Sequence, residues 1–449
     1  MQIHKWLYPG MKVKRWLLLA CLGFIFAIIG FAITINFGIL SKTEELVMNA
    51  LKKISISQGW VDLLIYGIIV MVIGIALIIF GIRQVMRSLI AAVAPGTQDK
   101  LVDIVHKKCV LEKGPKIVAL GGGTGLSTLL RGLKPYTSNI TAIVTVADDG
   151  GSSGKLRAEW GVLPPGDIRS CLVALADTEP LMEKLFQHRF VDQPGLSGHS
   201  FGNLFIATMS AITGDFEEAI KESSKVLAVR GRVIPATLAN VKLCAEYEDG
   251  RVVEGESLIP EVKAPIKRVY LKPSEVSPIQ EAIEAIEKAD LIVLGPGSLY
   301  TSVLPNLLVR GIPDAIRRSK GLKVYVCNVM TQPGETDGYL ASQHVEALIA
   351  HAGSGIVEYV LVNDETIPTK LLARYRKEGA EPVLSDIDRI AKSGFHPMSS
   401  RILSYGDFAR HDPVKLGRAI MELFNVEKRN NSNGIIKNGS FEEQYIITE

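Results

Sequence analysis

Twice in close succession, a short run of β-type apolar residues ends in glycine. Lys116–Leu120 runs into Gly121-Gly122-Gly123-Thr124-Gly125, and Ile140–Ala147 runs into Asp148-Asp149-Gly150-Gly151-Ser152-Ser153. The first is followed by a helix-type pattern from Leu126 to Leu133. Strand, glycine turn and helix make the repeating unit of a parallel sheet. Open sheets of this kind bind ligands at the carboxyl ends of their strands. Two such loops from neighbouring strands point to a nucleotide or another phosphorylated molecule.

The alternation continues down the chain. Helices are expected over Asp167–Ala176, Leu181–Phe190 and Leu204–Ile212. Residues 226–270 are richer in β-branched residues, and Asp249-Gly250 marks a hairpin between short strands. Helix and strand then alternate again: Ile279–Lys288, Leu291–Leu294, Leu299–Leu308, Val324–Asn328, Gly338–Ala352 and Tyr359–Val362. Asp412-Pro413 should cap a last helix reaching about Phe424. The pattern predicts an α/β fold. It is a Rossmann-like, mostly parallel sheet with helices on both faces and a small β-rich insertion. The ligand-binding domain spans 115–426, and the Asn-rich polar tail 427–449 reads as disordered.

Ahead of this domain lie two apolar runs, within spans of about 16–40 and 63–82. Each is long enough for a helix to cross a bilayer, which takes about 20 residues. The first is too long for a signal peptide core and has no small-residue cleavage site after it, so residues 1–82 are expected to form a transmembrane hairpin. Lys5, Lys12, Lys14 and Arg15 precede the first span, and Arg83 and Arg87 follow the second. The connecting loop dilutes Lys42, Lys52 and Lys53 with Glu44 and Glu45. Positive flanks place both ends in the cytoplasm, with the large domain at the cytoplasmic membrane. Gly23 and Gly30 in one span, and Gly67, Gly74 and Gly81 in the other, form small-residue stripes that suit packing of the two spans on each other. Residues 83–114 read as a juxtamembrane helix and linker, broken at Pro95-Gly96.

Composition narrows the function. Lys and Arg total 50 against 47 Asp and Glu, which gives no electrostatic footprint for nucleic acid. The five cysteines are scattered with no CxxC pair, so neither a zinc site nor a disulfide framework is expected.

The loops carry the candidate chemistry. Gly121–Gly125 departs from the dinucleotide fingerprint, because Leu126 stands where the third glycine would be, and it lacks the P-loop lysine. That weakens a nicotinamide oxidoreductase reading. Bare amides at a helix start still attract phosphate. Asp148 and Asp149 could hold sugar hydroxyls or a divalent cation, while Ser152 and Ser153 could hold phosphate. His199 is a candidate donor, and Asn203 is expected both at the site and as the N-cap of the following helix. Gly295, Gly297 and Ser298 repeat the first arrangement and should close the site from the same sheet edge. Asn328 and Thr331–Gly338 end a further strand, and Asp167 with Arg169 reads as a helix-start ion pair. No nucleophile–base pair or HExxH motif is visible, and no catalytic residue is assigned.

Six stretches in this order resemble the YvcK/CofD-like family. They are Ala119–Leu126, Ala147–Gly154, Gly166–Arg169, Gly198–Leu204, Gly295–Ser302 and Cys327–Thr336. The resemblance covers about 115–425 and is to the YvcK branch of gluconeogenesis factors. It implies binding of UDP-sugars such as UDP-N-acetylglucosamine, with a regulatory role in cell shape and envelope growth on gluconeogenic carbon. The other branch implies 2-phospho-L-lactate transferase chemistry in deazaflavin coenzyme synthesis, with magnesium held by Asp148 and Asp149. The regulator reading is preferred. It needs no cofactor and no turnover, has a nucleotide sugar and the membrane as partners, and is compatible with a homo-oligomer. The two-span N-terminus departs from the many soluble members of the family.

Overall fold

The computed structural model describes residues 13–35, 60–93, 110–177, 180–404 and 408–432. It divides into two units, Met1–Lys108 and Cys109–Glu449. The expected loop between the spans, the Pro95-Gly96 break and the tail beyond Ser432 lie outside the described residues.

The first unit is a pair of helices, Val13–Ile35 and Trp60–Val93. Glycine sets their spacing. A β-carbon at Gly30 would lie 2.4 Å from the Met71 amide nitrogen, and one at Gly74 would lie 2.4 Å from that of Ala27. The stripes are therefore consumed by the hairpin's own seam, where they let the backbones touch. Trp16 meets Phe80 edge-on, with ring centres 5.9 Å apart. The outward faces carry Leu18, Phe24, Ile28, Phe31, Ile73 and Ile79, all exposed. Both helices are long and apolar enough to cross a membrane, over Lys14–Thr34 and Leu64–Ser88. Side chains of this kind all round a helix suit hydrocarbon, not water.

The second unit is built on a seven-stranded parallel sheet. Its strands are β1 (Ile117–Gly121), β2 (Ile140–Val144), β3 (Arg232–Pro235), β7 (Leu291–Leu294), β8 (Leu322–Val326), β9 (Tyr359–Asn363) and β10 (His396–Ser400). The spatial order is β10-β9-β8-β7-β1-β2-β3. In register, Ala119 of β1 faces Ala142 of β2 on one side and Val293 of β7 on the other. Central strands covered on both faces need continuous apolar runs instead of alternation. β1 and β7 meet this with every residue buried. β4 (Lys242–Tyr247), β5 (Val252–Glu254) and β6 (Ile266–Lys272) form the insertion, an antiparallel sheet ordered β5-β4-β6. Its Asp249-Gly250 turn is as expected, with the Gly250 N–H donating to the Tyr247 carbonyl at 3.0 Å.

Chain order runs outward in both directions from β1 and β7, so the switch point of the sheet lies between them. The loops leaving these two strands are Gly121–Gly125 and Gly295–Ser298. The helix Gly123–Leu133 starts in the first loop and packs against the helices Gly166–Leu175 and Pro413–Ser432.

Three expectations need correction. The helix Phe201–Thr213 is capped by Ser200, whose Oγ accepts the Asn203 N–H at 3.3 Å, and not by Asn203. Two polar residues three positions apart compete for the cap, and the one with extended backbone wins. Leu299–Leu308 is not one helix; a π-turn over Leu299–Val303 leads into a short helix, Leu304–Leu307. The last helix runs to Ser432, past the expected end near Phe424, with Glu427 buried. The polar residues there form a solvent face of a helix whose other face is packed.

Candidate functional site at the switch point

The first loop is held open from below. Asn306 is fully buried, and its Nδ2 donates to the Gly121 carbonyl at 3.1 Å and to that of Ser302 at 2.8 Å. Its Oδ1 has no protein partner. Gly122 takes the N-cap position with extended backbone, and Gly123 has φ +61°. A residue with a β-carbon is strained there. The amides of Gly123, Thr124 and Gly125 open the helix, where a helix leaves its first N–H groups without intrahelical partners. The N-cap glycine brings no side chain of its own to this end.

The second loop leans on the first. A β-carbon at Gly125 would lie 2.3 Å from the Pro296 carbonyl oxygen. The Gly297 N–H donates to Asn328 Oδ1 at 3.3 Å, and Asn328 Nδ2 donates to Gln332 Oε1 at 3.2 Å. Gln332 in turn bonds Ser298 Oγ. The β8 loop thereby sets the position of the β7 loop. Between them opens a cavity of about 390 Å³ lined by Gly122–Gly125, Thr128, Pro296–Ser298, Ser302, Asn328–Pro333, Tyr375, Glu378, Ala380 and Ala409–His411. That volume lies in the usual range for a small-molecule site. Burial pushes the His411 imidazole down to about 4, so it is neutral, and its Nε2–H donates to the Cys327 carbonyl at 3.1 Å. Arg410 supplies a full positive charge to the same wall.

The β2 loop forms a second cluster beside this cavity. Ser152 Oγ lies 3.1 Å from His199 Nδ1 and accepts from Asn203 Nδ2 at 3.1 Å; all three residues are buried. Asn203 Oδ1 is unpartnered. Ser153 Oγ accepts the Gly166 N–H at 3.1 Å. Asp148 Oδ1 accepts the Gly150 N–H at 2.9 Å, and Asp149 Oδ1 accepts the Ser257 N–H at 2.9 Å. Asp149 therefore anchors the insertion to the loop. The expected Asp167–Arg169 ion pair is instead split. Arg169 donates to Ser200 Oγ at 2.9 Å, while the Asp167 carboxyl lies against Gly122 and Gly123.

Carboxyl groups crowd this region, and their proton affinities rise. Burial, then the charge of Asp148, raises Asp167 to about 7. Burial, then Asp148 and Asp167, raises Glu256 to about 8. Burial raises Glu335 to about 7, against the Thr301 hydroxyl and nearby amides that favour its charged form. Carboxyls raised toward neutrality in this way cluster at functional sites.

The structure thus gathers the candidates into two groups. Gly122–Gly125, Gly297 and Ser298 line the cavity, with Gly121 and Gly295 forming the strand ends behind them. Asp148, Asp149, Ser152, Ser153, His199 and Asn203 belong to the adjoining cluster. Tyr375, Glu378, Arg410 and His411 were missed, because their segments carry no glycine turn at a strand end. The Ser152–His199 contact was also missed, since it joins residues 47 apart in the chain. Both side chains are buried and Ser152 is also held by Asn203, so the contact ties the β2 loop to the helix Phe201–Thr213.

Only in the transferase reading does magnesium fall to Asp148 and Asp149. One oxygen of each carboxylate already accepts a backbone amide, that of Gly150 for Asp148 and that of Ser257 for Asp149. Among the described residues no group of three or more His, Cys, Asp or Glu side chains forms a metal cage.

The model of the family described as 2-phospho-L-lactate transferase CofD matches residues 117–403. A Bacillus subtilis relative named "Gluconeogenesis factor" is 55% identical over 310 residues, covering 69% of this chain and 98% of its own. A Nostoc relative named "Putative gluconeogenesis factor" is 48% identical over 428 residues, covering 94% of this chain and 93% of its own. The crystal structure of a UPF0052 family member from Bacillus halodurans superposes with TM-score 0.67 at 55% identity, covering 68% of this chain and 99% of that one. The Nostoc match is too long to leave out the whole N-terminal helix pair, whereas the other two each cover about two thirds of this chain.

Proposed function

The chain belongs to the CofD family, on the branch of the gluconeogenesis factors, and from that premise we propose that it is a nucleotide-sugar-binding regulator held at the cytoplasmic membrane. Its ligand is a UDP-sugar such as UDP-N-acetylglucosamine, and its role is to match cell shape and envelope growth to gluconeogenic carbon. One observation carries the reading: two glycine loops face each other across the switch point over the cavity of about 390 Å³. The diphosphate takes the Thr124 and Gly125 amides at the start of the helix Gly123–Leu133, together with Arg410. Asn328, Thr331 and Gln332 supply carboxamides and a hydroxyl for the uracil or sugar edges.

Isothermal titration of the full chain in detergent with UDP-N-acetylglucosamine tests this. Binding is expected to persist in EDTA, and no nucleotide should be released over hours. The second reading is a transferase moving a phosphate-linked group. The family description and the crowded carboxyls Asp148, Asp167 and Glu256 favour it. Magnesium-dependent release of nucleotide with transfer to an added acceptor would establish it and remove the first.

The membrane placement has its own test. A cysteine placed at position 58, between the two helices, is expected to react with an impermeant maleimide from outside the cell. One placed at position 433 should react only after permeabilisation. The reverse pattern would invert the topology that the charged flanks favour.

A further inference from the structure

We propose that Asp167 is the positioning residue of the anion-binding turn, and that an ionised Asp167 and a bound diphosphate exclude one another. The inference rests on the nucleotide-sugar reading and deepens it.

Asp167 lies in the first turn of the helix Gly166–Leu175, which begins beneath the turn. Its carboxyl lies beside Gly122 and Gly123, and the Gly123 amide, which favours its charged form, opens the helix whose next residues, Thr124 and Gly125, line the cavity. A β-carbon at Gly122 would lie 2.4 Å from Asp167 Oδ2, so glycine at 122 is what lets the carboxyl in. A group of this chain thus already occupies part of the anion-binding helix end. A phosphate on the following amides would sit next to it.

The groups facing Asp167 decide what its charge does. Asp148 approaches from the β2 loop and Glu256 from the insertion, both acidic. Cys171 and Arg169 lie on its own helix, and Arg169 is turned to Ser200. Burial and Asp148 already place its titration at about 7, against the Gly123 hydrogen bond and Arg169, which favour the charged form. A second anion beside it disfavours the carboxylate further. Neutral Asp167 removes that repulsion and gains an O–H to donate. Binding therefore takes up a proton wherever free Asp167 is ionised. The sign follows from linkage: affinity is full below about pH 7 and falls by up to about tenfold per pH unit above it.

The probe is UDP-N-acetylglucosamine, whose two phosphates each carry one charge across this range. Titrations of the full chain in detergent run from pH 6 to pH 9. Wild type is expected to lose affinity above pH 7. In two buffers of different ionisation enthalpy at pH 8, it should show uptake of close to one proton. Asp167→Asn keeps an acceptor beside the Gly123 amide without the charge, so its affinity should be flat with pH and exceed wild type by up to about 30-fold at pH 8.5. Glu256 stays protonated up to about 8, so Glu256→Gln should keep both the slope and its onset near pH 7. A flat wild-type profile without proton uptake overturns the proposal while leaving the ligand reading intact. So does a slope that survives Asp167→Asn. Absence of binding by wild type at every pH overturns the ligand reading itself. The proton count needs no variant, so a misfolded Asp167→Asn does not decide the outcome.

Discussion

Gly125→Val is expected to lower UDP-sugar affinity by roughly 100-fold, or about 2.8 kcal/mol at about 1.4 kcal/mol per factor of ten. The two loops of the switch point touch at this residue. A β-carbon there would lie 2.3 Å from the Pro296 carbonyl oxygen, 2.7 Å from its carbonyl carbon and 2.9 Å from Gly297 Cα. All three are backbone atoms, so no side chain can swing aside to make room. The β7 loop must move away, and it takes with it the Gly297 amide and the Asn328–Gln332 bonds that hold the cavity wall. Gly123→Val makes the useful contrast. Around Gly123 the nearest atom to a new β-carbon is 4.0 Å away, but φ is +61°. The cost there is backbone strain of about 1–2 kcal/mol without a clash, and affinity should fall about tenfold. Titration of both variants, with unfolding curves as a control, checks the order. Equal affinities for Gly125→Val and wild type would mean that the ligand does not use this crevice.

That contrast shows which parts of the site could be seen in the sequence. Glycines at the ends of apolar runs are a local signal, because the strand, the turn and the helix start are consecutive in the chain. They were sufficient to place β1, β2 and β7, the parallel sheet, and the two loops that face each other. The insertion was equally legible from Asp249-Gly250 between β-branched runs. What could not be seen depends on distant partners. Asp149 looked like a free carboxylate until the fold brought Ser257, 108 residues away, onto it. Asp167 looked like half of an ion pair with Arg169, because helix-start patterns put opposite charges close in sequence. Only the packing of the helix Gly166–Leu175 against the helix Gly123–Leu133 brings its carboxyl to Gly122 and Gly123. Arg410 and His411 reach the cavity from the chain just ahead of the last helix. Nothing in their neighbourhood signals a ligand.

That last helix is the element through which packing reaches the site, and Gly417→Leu is expected to show it. The helices Gly123–Leu133 and Pro413–Ser432 cross at Gly132 and Gly417. A β-carbon at Gly417 would lie 2.2 Å from the Gly132 carbonyl oxygen, and one at Gly132 would lie 2.1 Å from that of Pro413. Neither glycine is there for its dihedral freedom; both are there for the close approach of two backbones. Leucine at 417 forces the helices apart and strips contacts from Leu416, Ile420 and Leu133, all buried. Overpacking of this kind costs about 1–3 kcal/mol, and displaced backbone puts the substitution at the upper end. Unfolding in denaturant should show that loss as a lower midpoint with an unchanged slope. The second consequence separates this seam from an ordinary core position. The helix starts at Pro413, two residues after His411, so shifting it moves Arg410 and His411 out of the cavity wall. Affinity for UDP-N-acetylglucosamine should then fall by about tenfold under conditions where the variant is still folded. A buried change that leaves this seam alone, such as Ile390→Val beside β10, should lower stability by about 0.5–1.5 kcal/mol and leave affinity where it was. If Gly417→Leu lowers stability while binding stays at the wild-type level, the last helix only supports the fold. The anion would then be held by the β1 and β7 loops alone.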